Sequence, residues 1–301
     1  MITLNAAVWQ TLQQLIGNSA ATNGNQPMRI LEIGAGTGAM FERMCASQRA
    51  PVYEYVAIDA EAENMRSARE KLPGWAARQG LVVEASTGAN LPLIFRNGQS
   101  GCTTTLDASA VDLFAFLDQP DQTAQYDLLI AHAFLDLVDA QSVLPRLARL
   151  LKSGGVFYFP INFDGATILQ PAIDPAFDAL VEARYHLTMD ERVINGQPSG
   201  DSQTGRHLFG HLRDAGFQIL NAGSSDWVVF GQPDEQGQTV YPADEAYFLH
   251  FIIDTMRGAL ADDAALESAR FAQWIEQRHQ QIERGELVYI AHQLDFVGKL
   301  A

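Results

Sequence analysis

The chain has 301 residues, of which 47% are hydrophobic and 19% are charged, and its formal net charge at pH 7 is −16. A chain of this length and composition can bury a large core. Because it is acidic and contains no run of Lys or Arg, we expect neither nucleic acid nor an anionic membrane as a partner. Its two cysteines, Cys45 and Cys102, form no CxxC pair or Cys/His cluster, so neither a disulfide framework nor a bound metal is expected.

Residues 1–26 are predicted to form an N-terminal helix, because their apolar residues recur at helical spacing. The segment lacks the basic start and apolar core of a signal peptide. No stretch of the chain reaches the roughly 18–20 apolar residues that a membrane-spanning helix needs. We therefore expect a soluble, cytoplasmic protein.

Strands and helices alternate after this helix. Met28–Ile33 and Tyr53–Ile58 are apolar runs that predict strands one and two, and each is followed by a predicted helix. The stretches LVVEA, LPLIF and CTTTLDAS are strand-like, with an Asn-Gly turn signal between the last two. We interpret 75–101 as an inserted β-hairpin whose last strand leads into strand three.

The second half of the chain completes the sheet and adds helices. YDLLIAHAF and VFYFPINF are predicted as strands four and five, FQILNAGSSDWVVF as strand six and LVYIAHQLDFVGK as the last strand. Two segments, 165–202 and 232–285, are expected to be mainly helical insertions. They are either a lid over a substrate or purely structural parts of a single domain that spans 1–301. The helices predicted in this half cover 174–188, 204–215, 244–260 and 264–283.

The stretch RILEIGAGTGAMFERM places a glycine-rich turn between strand one and a helix. It fits the dinucleotide pattern G-x-G-x-x-G/A at Gly34, Gly36 and Ala39. It also fits E-x-G-x-G-x-G, with Glu32 before the turn and Gly38 as its last glycine. An acidic neighbour repels a pyrophosphate, whereas S-adenosylmethionine carries a cationic sulfonium and an ammonium group. The carboxylate therefore favours S-adenosylmethionine, although NAD stays open.

The motif LEIGAGTG resembles the first motif of the class I S-adenosylmethionine-dependent methyltransferases. The resemblance extends from strand one to the last strand. It implies a doubly wound α/β fold: a seven-stranded, mostly parallel sheet with an antiparallel last strand, helices on both faces and a β-hairpin insertion before strand three. It further implies S-adenosyl-L-methionine as cofactor and methyl transfer as the activity.

The same resemblance assigns residues to the cofactor. Glu32 would lie near the methionine amino group, and the turn Gly34, Ala35, Gly36 and Gly38 would surround the cofactor. Asp59, followed by Ala60, ends strand two, where a carboxylate accepts hydrogen bonds from ribose hydroxyls; the alternative is a simple strand-ending turn. Asp107 and Ala108 resemble the adenine contact, with Asp112 as the competing residue. Ala131 would lie nearest the methionine moiety.

Catalytic and substrate residues are expected where strands four and five end, because ligands in doubly wound sheets bind outside the carboxyl ends of the strands. His132 is the candidate general base, or else it packs against the cofactor or caps the strand end. Asn162 and Asp164 would border the transferred methyl group. The remaining candidates for the substrate pocket are Arg206, His207, Tyr247 and His250. The alternative for Arg206 is a structural salt bridge, and the alternative for Tyr247 and His250 is a surface face. His207 and His211 share a helical face, but without a third ligand they predict no metal site.

The sequence thus predicts S-adenosylmethionine-dependent methyl transfer to a small-molecule acceptor. Two alternatives remain: a NAD-dependent oxidoreductase that uses the same glycine turn, and a non-catalytic protein that binds S-adenosylmethionine. The oligomeric state is not predicted.

Overall fold

The computed structural model describes residues 4–23, 26–47, 52–85, 91–194 and 196–301. Parts of three predicted segments lie outside these ranges. They are residues 1–3, 24 and 25 of the N-terminal segment, residues 86–90 of the expected hairpin insertion, and residue 195 of the first expected helical insertion.

The helices within the described ranges are α1 (Ala6–Asn23), α2 (Ala39–Ser47), α3 (Ala62–Arg78), α4 (Leu113–Leu117), α5 (Ala140–Ala148), α6 (Pro175–Asp190), α7 (Thr204–Asp214), α8 (Glu245–Ala259) and α9 (Ser268–Glu283). The strands are β1 (Met28–Ile33), β2 (Val52–Asp59), β3 (Leu81–Ala85), β4 (Leu93–Asn97), β5 (Thr103–Ala110), β6 (Tyr126–Ala131), β7 (Leu151–Gln170), β8 (Val193–Ile194), β9 (Gln197–Pro198), β10 (Phe217–Ser224), β11 (Trp227–Val229), β12 (Gln232–Pro233), β13 (Thr239–Val240) and β14 (Val288–Leu300). Short 3₁₀ turns follow α4 and β6.

One large sheet organises the fold, in the order β10-β14-β7-β6-β1-β2-β5-β4-β3, with β11 paired to β14. The strands β5, β2, β1, β6 and β7 are parallel. The strand β14 runs antiparallel between β7 and β10. The result is a mixed α/β fold with a sheet that is parallel at its centre, as expected.

The sheet contains ten strands among the described residues rather than seven. The strands β3 and β4 extend the β5 edge as an antiparallel pair. The predicted strand six is two strands, β10 and β11, separated by Ser225 and Asp226. The Asp226 carboxylate accepts a hydrogen bond from the Gln293 backbone N–H at 3.3 Å and lies 2.7 Å from the His292 ring, so this break is held against β14.

Helices cover both faces of the central strands. The helices α1, α2 and α3 pack on one face, and α4, α5 and α7 pack on the other. This explains why β1 is an almost continuous apolar run, since its residues are buried on both sides.

A third core lies beside the sheet. Apolar residues of α6, α8 and α9 pack there against β11 and the first half of β14. Residues 165–170, expected to begin an insertion, instead continue β7, because they pair with β14 as Ile168 with Ile290 and Gln170 with Val288. The helical insertions therefore grow out of an extension of the sheet.

Arg278 of α9 is fully buried and joins the parts of this third core. Its guanidinium donates to Asp178 Oδ1 of α6 at 2.8 Å and to the Pro171 carbonyl at 2.7 Å. It also donates to Gln281 Oε1 at 2.8 Å, and Trp274 Nε1 donates to the same oxygen of Asp178 at 2.6 Å. Without the Arg278 guanidinium, the Pro171 carbonyl and Gln281 Oε1 would each lose a hydrogen-bond donor.

We expect Arg278→Met to lower the free energy of unfolding by about 3–5 kcal/mol, because it removes one partner of a buried ion pair. The matched control is Arg284→Met, which removes the exposed pair between Arg284 and Glu286 and should cost at most about 1 kcal/mol. Urea unfolding measures both. Equal losses in the two variants would contradict a central role for Arg278.

Candidate active site

A cavity of about 1060 Å³ opens at the carboxyl ends of the parallel strands. In the sheet, β2 and β5 lie on one side of β1, and β6 and β7 lie on the other side. The cavity therefore lies at the point where the strand order reverses, the usual ligand position in doubly wound sheets. Its walls include the glycine turn after β1, the end of β2, the segment after β5, the loop after β6, the start of α5 and the hairpin formed by β8 and β9.

The glycine turn is shaped by positive φ angles at Gly34, Gly36 and Gly38, of 64°, 54° and 91°. Residues with a side chain are strained in this region. A Cβ atom at Gly34 would also lie 2.7 Å from the Phe134 ring, whereas one at Gly36 would meet no atom within 4 Å. The turn thus packs closely at its first glycine and leaves open space beside its second. Gly34, Ala35 and Gly36 line the cavity.

Asp59 ends β2 at the cavity wall, and Ala60 lies beside it. The Gly36 backbone N–H donates to Asp59 Oδ2 at 2.8 Å. The other carboxylate oxygen accepts from the Glu61 backbone N–H at 2.9 Å and from Asn64 Nδ2 at 3.2 Å. A carboxylate has about four acceptor sites, so the orientation of Asp59 is fixed while it keeps capacity to accept from a hydroxyl group.

Glu32 is fully buried in β1, two residues before the first glycine. The Tyr55 hydroxyl donates to its Oε2 at 2.7 Å, and Oε1 has no hydrogen-bond partner among the described residues. Burial raises the pKa of this carboxyl group to about 8. Glu32 and Gly38 do not lie on the cavity wall. The fold thus holds a buried and incompletely hydrogen-bonded carboxyl group directly before the turn.

Asp107 and Ala108 are not among the residues that line the cavity, and their assignment to the adenine stays a prediction. Both lie inside β5, where they pair with Val56 and Ala57 of β2. The strand continues to Ala110, three residues beyond Asp107. The cavity wall is instead formed by Val111, Asp112, Leu113 and Phe114. Asp112, the competing residue, is held in place because its Oδ1 accepts from the Phe114 and Ala115 backbone N–H groups at 2.9 and 3.2 Å.

His132 lies on the cavity wall directly after β6. Burial, aided by the positive charge of Arg43, lowers the pKa of its imidazole to about 4. The ring is therefore neutral at physiological pH and offers one nitrogen as a hydrogen-bond acceptor. Ala131, predicted as a cofactor contact, is fully buried in the last position of β6 and does not reach the cavity.

The hairpin of β8 and β9 lies in the segment 165–202, which was expected to be mainly helical, and it forms one wall of the cavity. Ile194, Pro198 and Ser199 line the cavity. The Ser199 hydroxyl donates to the Leu137 carbonyl at 2.7 Å. Arg192 donates to the Ser199 carbonyl at 2.7 Å and to the Asp136 carbonyl at 3.2 Å. These bonds tie the hairpin to the loop after β6.

Asp136 lies in that loop and was not predicted. Its Oδ1 is buried without a hydrogen-bond partner among the described residues. Burial raises the pKa of its carboxyl group to about 6, against the opposing effects of backbone hydrogen bonds and of Arg192. The only sequence feature that could have indicated Asp136 is its position four residues after His132, just beyond a predicted strand end.

Four predicted substrate residues lie away from the cavity and are paired within the protein. Asn162 is buried, and its amide donates to the Phe159 and Leu294 carbonyls at 2.7 and 2.9 Å. Arg206 donates to Asp164 Oδ1 from its backbone at 2.7 Å and from its side chain at 2.8 Å. His207 contacts Asp201 at 2.6 Å. The structure thus gives these four residues partners within the protein, and their role as substrate contacts stays a prediction.

Tyr247 and His250 are likewise absent from the cavity wall. Tyr247 is 75% exposed, and the His250 ring contacts His279 of α9, with 2.7 Å between their Nδ1 atoms. Both lie on α8, which packs into the third core with α6 and α9. The segment 232–285 contributes no residue to the cavity wall within the described ranges.

A family model described as a methyltransferase domain matches residues 31–157. This range runs from the glycine turn through Asp59 and Asp112 to β7. Residues 31–157, less than half of the chain, therefore match a methyltransferase domain, and the activity of such a domain is methyl transfer.

Solved structures with low identity resemble the chain. One is an S-adenosylmethionine-dependent methyltransferase from Methanosarcina mazei, 14% identical, with a TM-score of 0.44 and coverage of 93% of this chain and 95% of that one. Another is geranyl diphosphate C-methyltransferase from Streptomyces coelicolor, 10% identical, with a TM-score of 0.41 and coverage of 97% and 82%.

Two further observations concern membranes and metal ions. Within the described ranges, no helix has the length and apolar character to cross a membrane. In the same part of the chain, no group of three or more His, Cys, Asp or Glu residues is arranged to hold a metal ion.

We expect His132 to make the protein less stable as the pH falls from 6.5 to 4. The unfolded histidine binds a proton near its ordinary pKa of 6.5, whereas the folded one does so only near 4, so protonation favours the unfolded state in this window. At pH 4 the loss amounts to at most about 3 kcal/mol. Urea unfolding from pH 8 to pH 4 measures it, and His132→Asn should remove this part of the pH dependence.

The control for His132→Asn lies in the same titration. Between pH 7 and 8 the histidine is neutral in both the folded and the unfolded state, so the difference between wild type and variant should stay constant there. A difference that also stays constant down to pH 4 would show that the folded histidine titrates normally.

Proposed function

We propose that the cavity holds S-adenosylmethionine beside a small-molecule acceptor. The observation that carries the proposal is the open glycine turn whose Gly36 N–H is fixed by Asp59 at the cavity wall. The cavity volume of about 1060 Å³ lies at the upper end of the roughly 300–1000 Å³ that is usual for ligand pockets. It therefore has room for more than the cofactor alone.

This chain offers a suitable group for each part of the cofactor. We assign the ribose hydroxyls to Asp59, with Ala60 beside it, and the adenine to the wall at Asp112. The turn Gly34–Gly36 would approach the methionine moiety closely. Glu32, with its unpartnered Oε1 behind the turn, would bind the ammonium group through a bridging water or the backbone. A pyrophosphate carries no cationic group, so it would gain no such ionic contact with Glu32.

The bound cofactor supplies a methyl group that its sulfonium already activates. The protein then has to orient the acceptor and exclude water. His132 is neutral at the cavity wall, so it would accept a hydrogen bond from the acceptor and so orient the reacting atom. With a pKa near 4 it is a weak general base, which suits an acceptor that loses its proton only as the methyl group is transferred.

We further propose that the chain is one domain built on a seven-stranded methyltransferase sheet. The antiparallel pair β3 and β4, at the sheet edge beyond β5, would then be the insertion. Of the two helical segments, 165–202 would form the lid, since its hairpin lines the cavity. The segment 232–285 would support α6 through the third core.

We expect S-adenosylhomocysteine to release about one proton when it binds at pH 7. Glu32 is mostly protonated in the free protein because its pKa is about 8, and a nearby ammonium group favours the carboxylate. Calorimetric titration in buffers of different ionisation enthalpy measures this release. Glu32→Gln should abolish it and weaken binding, and release that persists in Glu32→Gln would contradict the assignment.

Asp59→Asn should weaken S-adenosylhomocysteine binding by about 10-fold to 100-fold, because hydrogen bonds to a charged acceptor contribute about 1.5–3 kcal/mol. The matched control is Asp107→Asn, a carboxylate inside β5 and away from the cavity wall, which should bind as the wild type does. NADH is titrated alongside. Binding of NADH with no heat from S-adenosylhomocysteine would overturn the assignment of this cavity to S-adenosylmethionine.

A further inference from the structure

The end of the cavity formed by the loop after β6 and by the β8–β9 hairpin has apolar walls. The lining residues there that carry no polar side-chain group are Ala133, Phe134, Leu137, Val138, Ile194 and Pro198. The few polar side chains at this end are either neutral or engaged in the fold. His132 is neutral, the Ser199 hydroxyl donates to the Leu137 carbonyl, and the Asp139 carboxylate caps α5 by accepting from the Ser142 N–H.

Apolar side chains also surround the mouth at this end. Leu137 is 46% exposed and Ile194 is 52% exposed, although both line the cavity. Val193, next to Ile194 in β8, is 61% exposed. Exposed apolar groups that cluster at a concave site are typical of surfaces that a ligand covers. An apolar molecule in the cavity would remove these side chains from water.

The arginine side chains near this end of the cavity interact with other parts of the protein. Arg146 is the single cation on the described cavity wall. It donates to Asp118 Oδ1 at 2.6 Å and lies over the Phe114 ring, on the side of Asp112. Arg192 is engaged with two backbone carbonyls, and Arg43, whose charge acts on His132, does not reach the wall. The carboxylates of Asp136 and Asp139 lie in the loop at this end.

A phosphate or carboxylate bound here would lose its hydration without contacting a cation at this end of the described cavity wall. Desolvation of an unpaired charge costs several kcal/mol. The two nearby carboxylates would add repulsion. The binding of an uncharged molecule, by contrast, is stabilised by apolar contact with the Phe134 ring and the side chains around it.

We propose that this end of the cavity takes an uncharged aromatic or alicyclic acceptor that presents a hydroxyl group to His132. The proposal rests on the methyl-transfer function proposed above. In the reaction the acceptor oxygen bonds to the methyl carbon while the carbon–sulfur bond breaks, and its electron pair stays on sulfur. The acceptor proton leaves to the unprotonated nitrogen of His132 and then to water. The products are a methyl ether, S-adenosylhomocysteine and a proton.

The test compares two probes that share the naphthalene ring system, 2-naphthol and 2-naphthyl phosphate. Each is titrated at pH 7.5 into protein that is saturated with S-adenosylhomocysteine. We expect 2-naphthol to bind at least tenfold more tightly than the phosphate. Leu137→Asp and Ile194→Asp should each weaken 2-naphthol binding at least tenfold and leave the affinity for S-adenosylhomocysteine unchanged. The control is Val82→Asp, at an exposed position of β3 away from the cavity wall.

The outcomes separate this proposal from the one on which it rests. Failure of S-adenosylhomocysteine to bind the wild type would overturn the function proposed for the cavity. Normal binding of S-adenosylhomocysteine together with equal or tighter binding of the phosphate, or with no binding of 2-naphthol, would overturn the uncharged acceptor. Unchanged 2-naphthol binding in Leu137→Asp and Ile194→Asp would overturn its location.

Discussion

The hydrogen bond from the Gly36 N–H to Asp59 Oδ2 is the contact on which the site depends. It joins the turn after β1 to the end of β2, two neighbouring parallel strands. The same carboxylate accepts from the Glu61 N–H at the start of α3. One side chain therefore fixes the glycine turn, the beginning of a helix and a wall of the cavity. Positive φ angles in the turn are tolerated because glycines occupy those positions.

Buried carboxyl groups near the strand ends divide into two kinds. Asp295 is fully buried but well supplied with donors, since it accepts from Ser225, from Ile161 and from the backbone of Asn5. It thereby holds Ile161 at a positive φ of 60°, which a β-branched residue rarely adopts. Glu32 and Asp136 each keep one buried oxygen without a partner. Such groups cost stability and are typical of functional sites.

The third core affects the cavity only indirectly. The helix α6 packs there through Phe177, Val181 and Tyr185. Just after it ends, Arg192 ties the β8–β9 hairpin to the loop after β6. Packing of α8 and α9 against α6 thus fixes the base from which the hairpin reaches the cavity. This arrangement explains how residues that never line the cavity still bear on its shape.

Local patterns in the sequence determined much of the fold. Apolar periodicity and glycine spacing predicted the alternation of strands and helices, the turn at Gly34–Gly38 and the acid at Asp59, because each depends on residues that are close in the chain. What they could not determine is where a strand stops against its neighbour. The strand β5 continues to Ala110 because it pairs with β2 along its length, and this brings Asp112 rather than Asp107 to the cavity.

Tertiary packing alone decided the apolar end of the cavity. The sequence left Tyr247 and His250 either on a surface face or in the wall of a pocket, and α8 buries its apolar stripe against α9 and α6. The hairpin at Ile194 carries no motif, and it is held at the cavity by hydrogen bonds to residues 56 and 62 positions earlier. The glycine turn could be predicted from the sequence because a tight backbone turn demands particular residues, whereas the apolar end of the cavity is formed by contacts between distant segments that many residues could make.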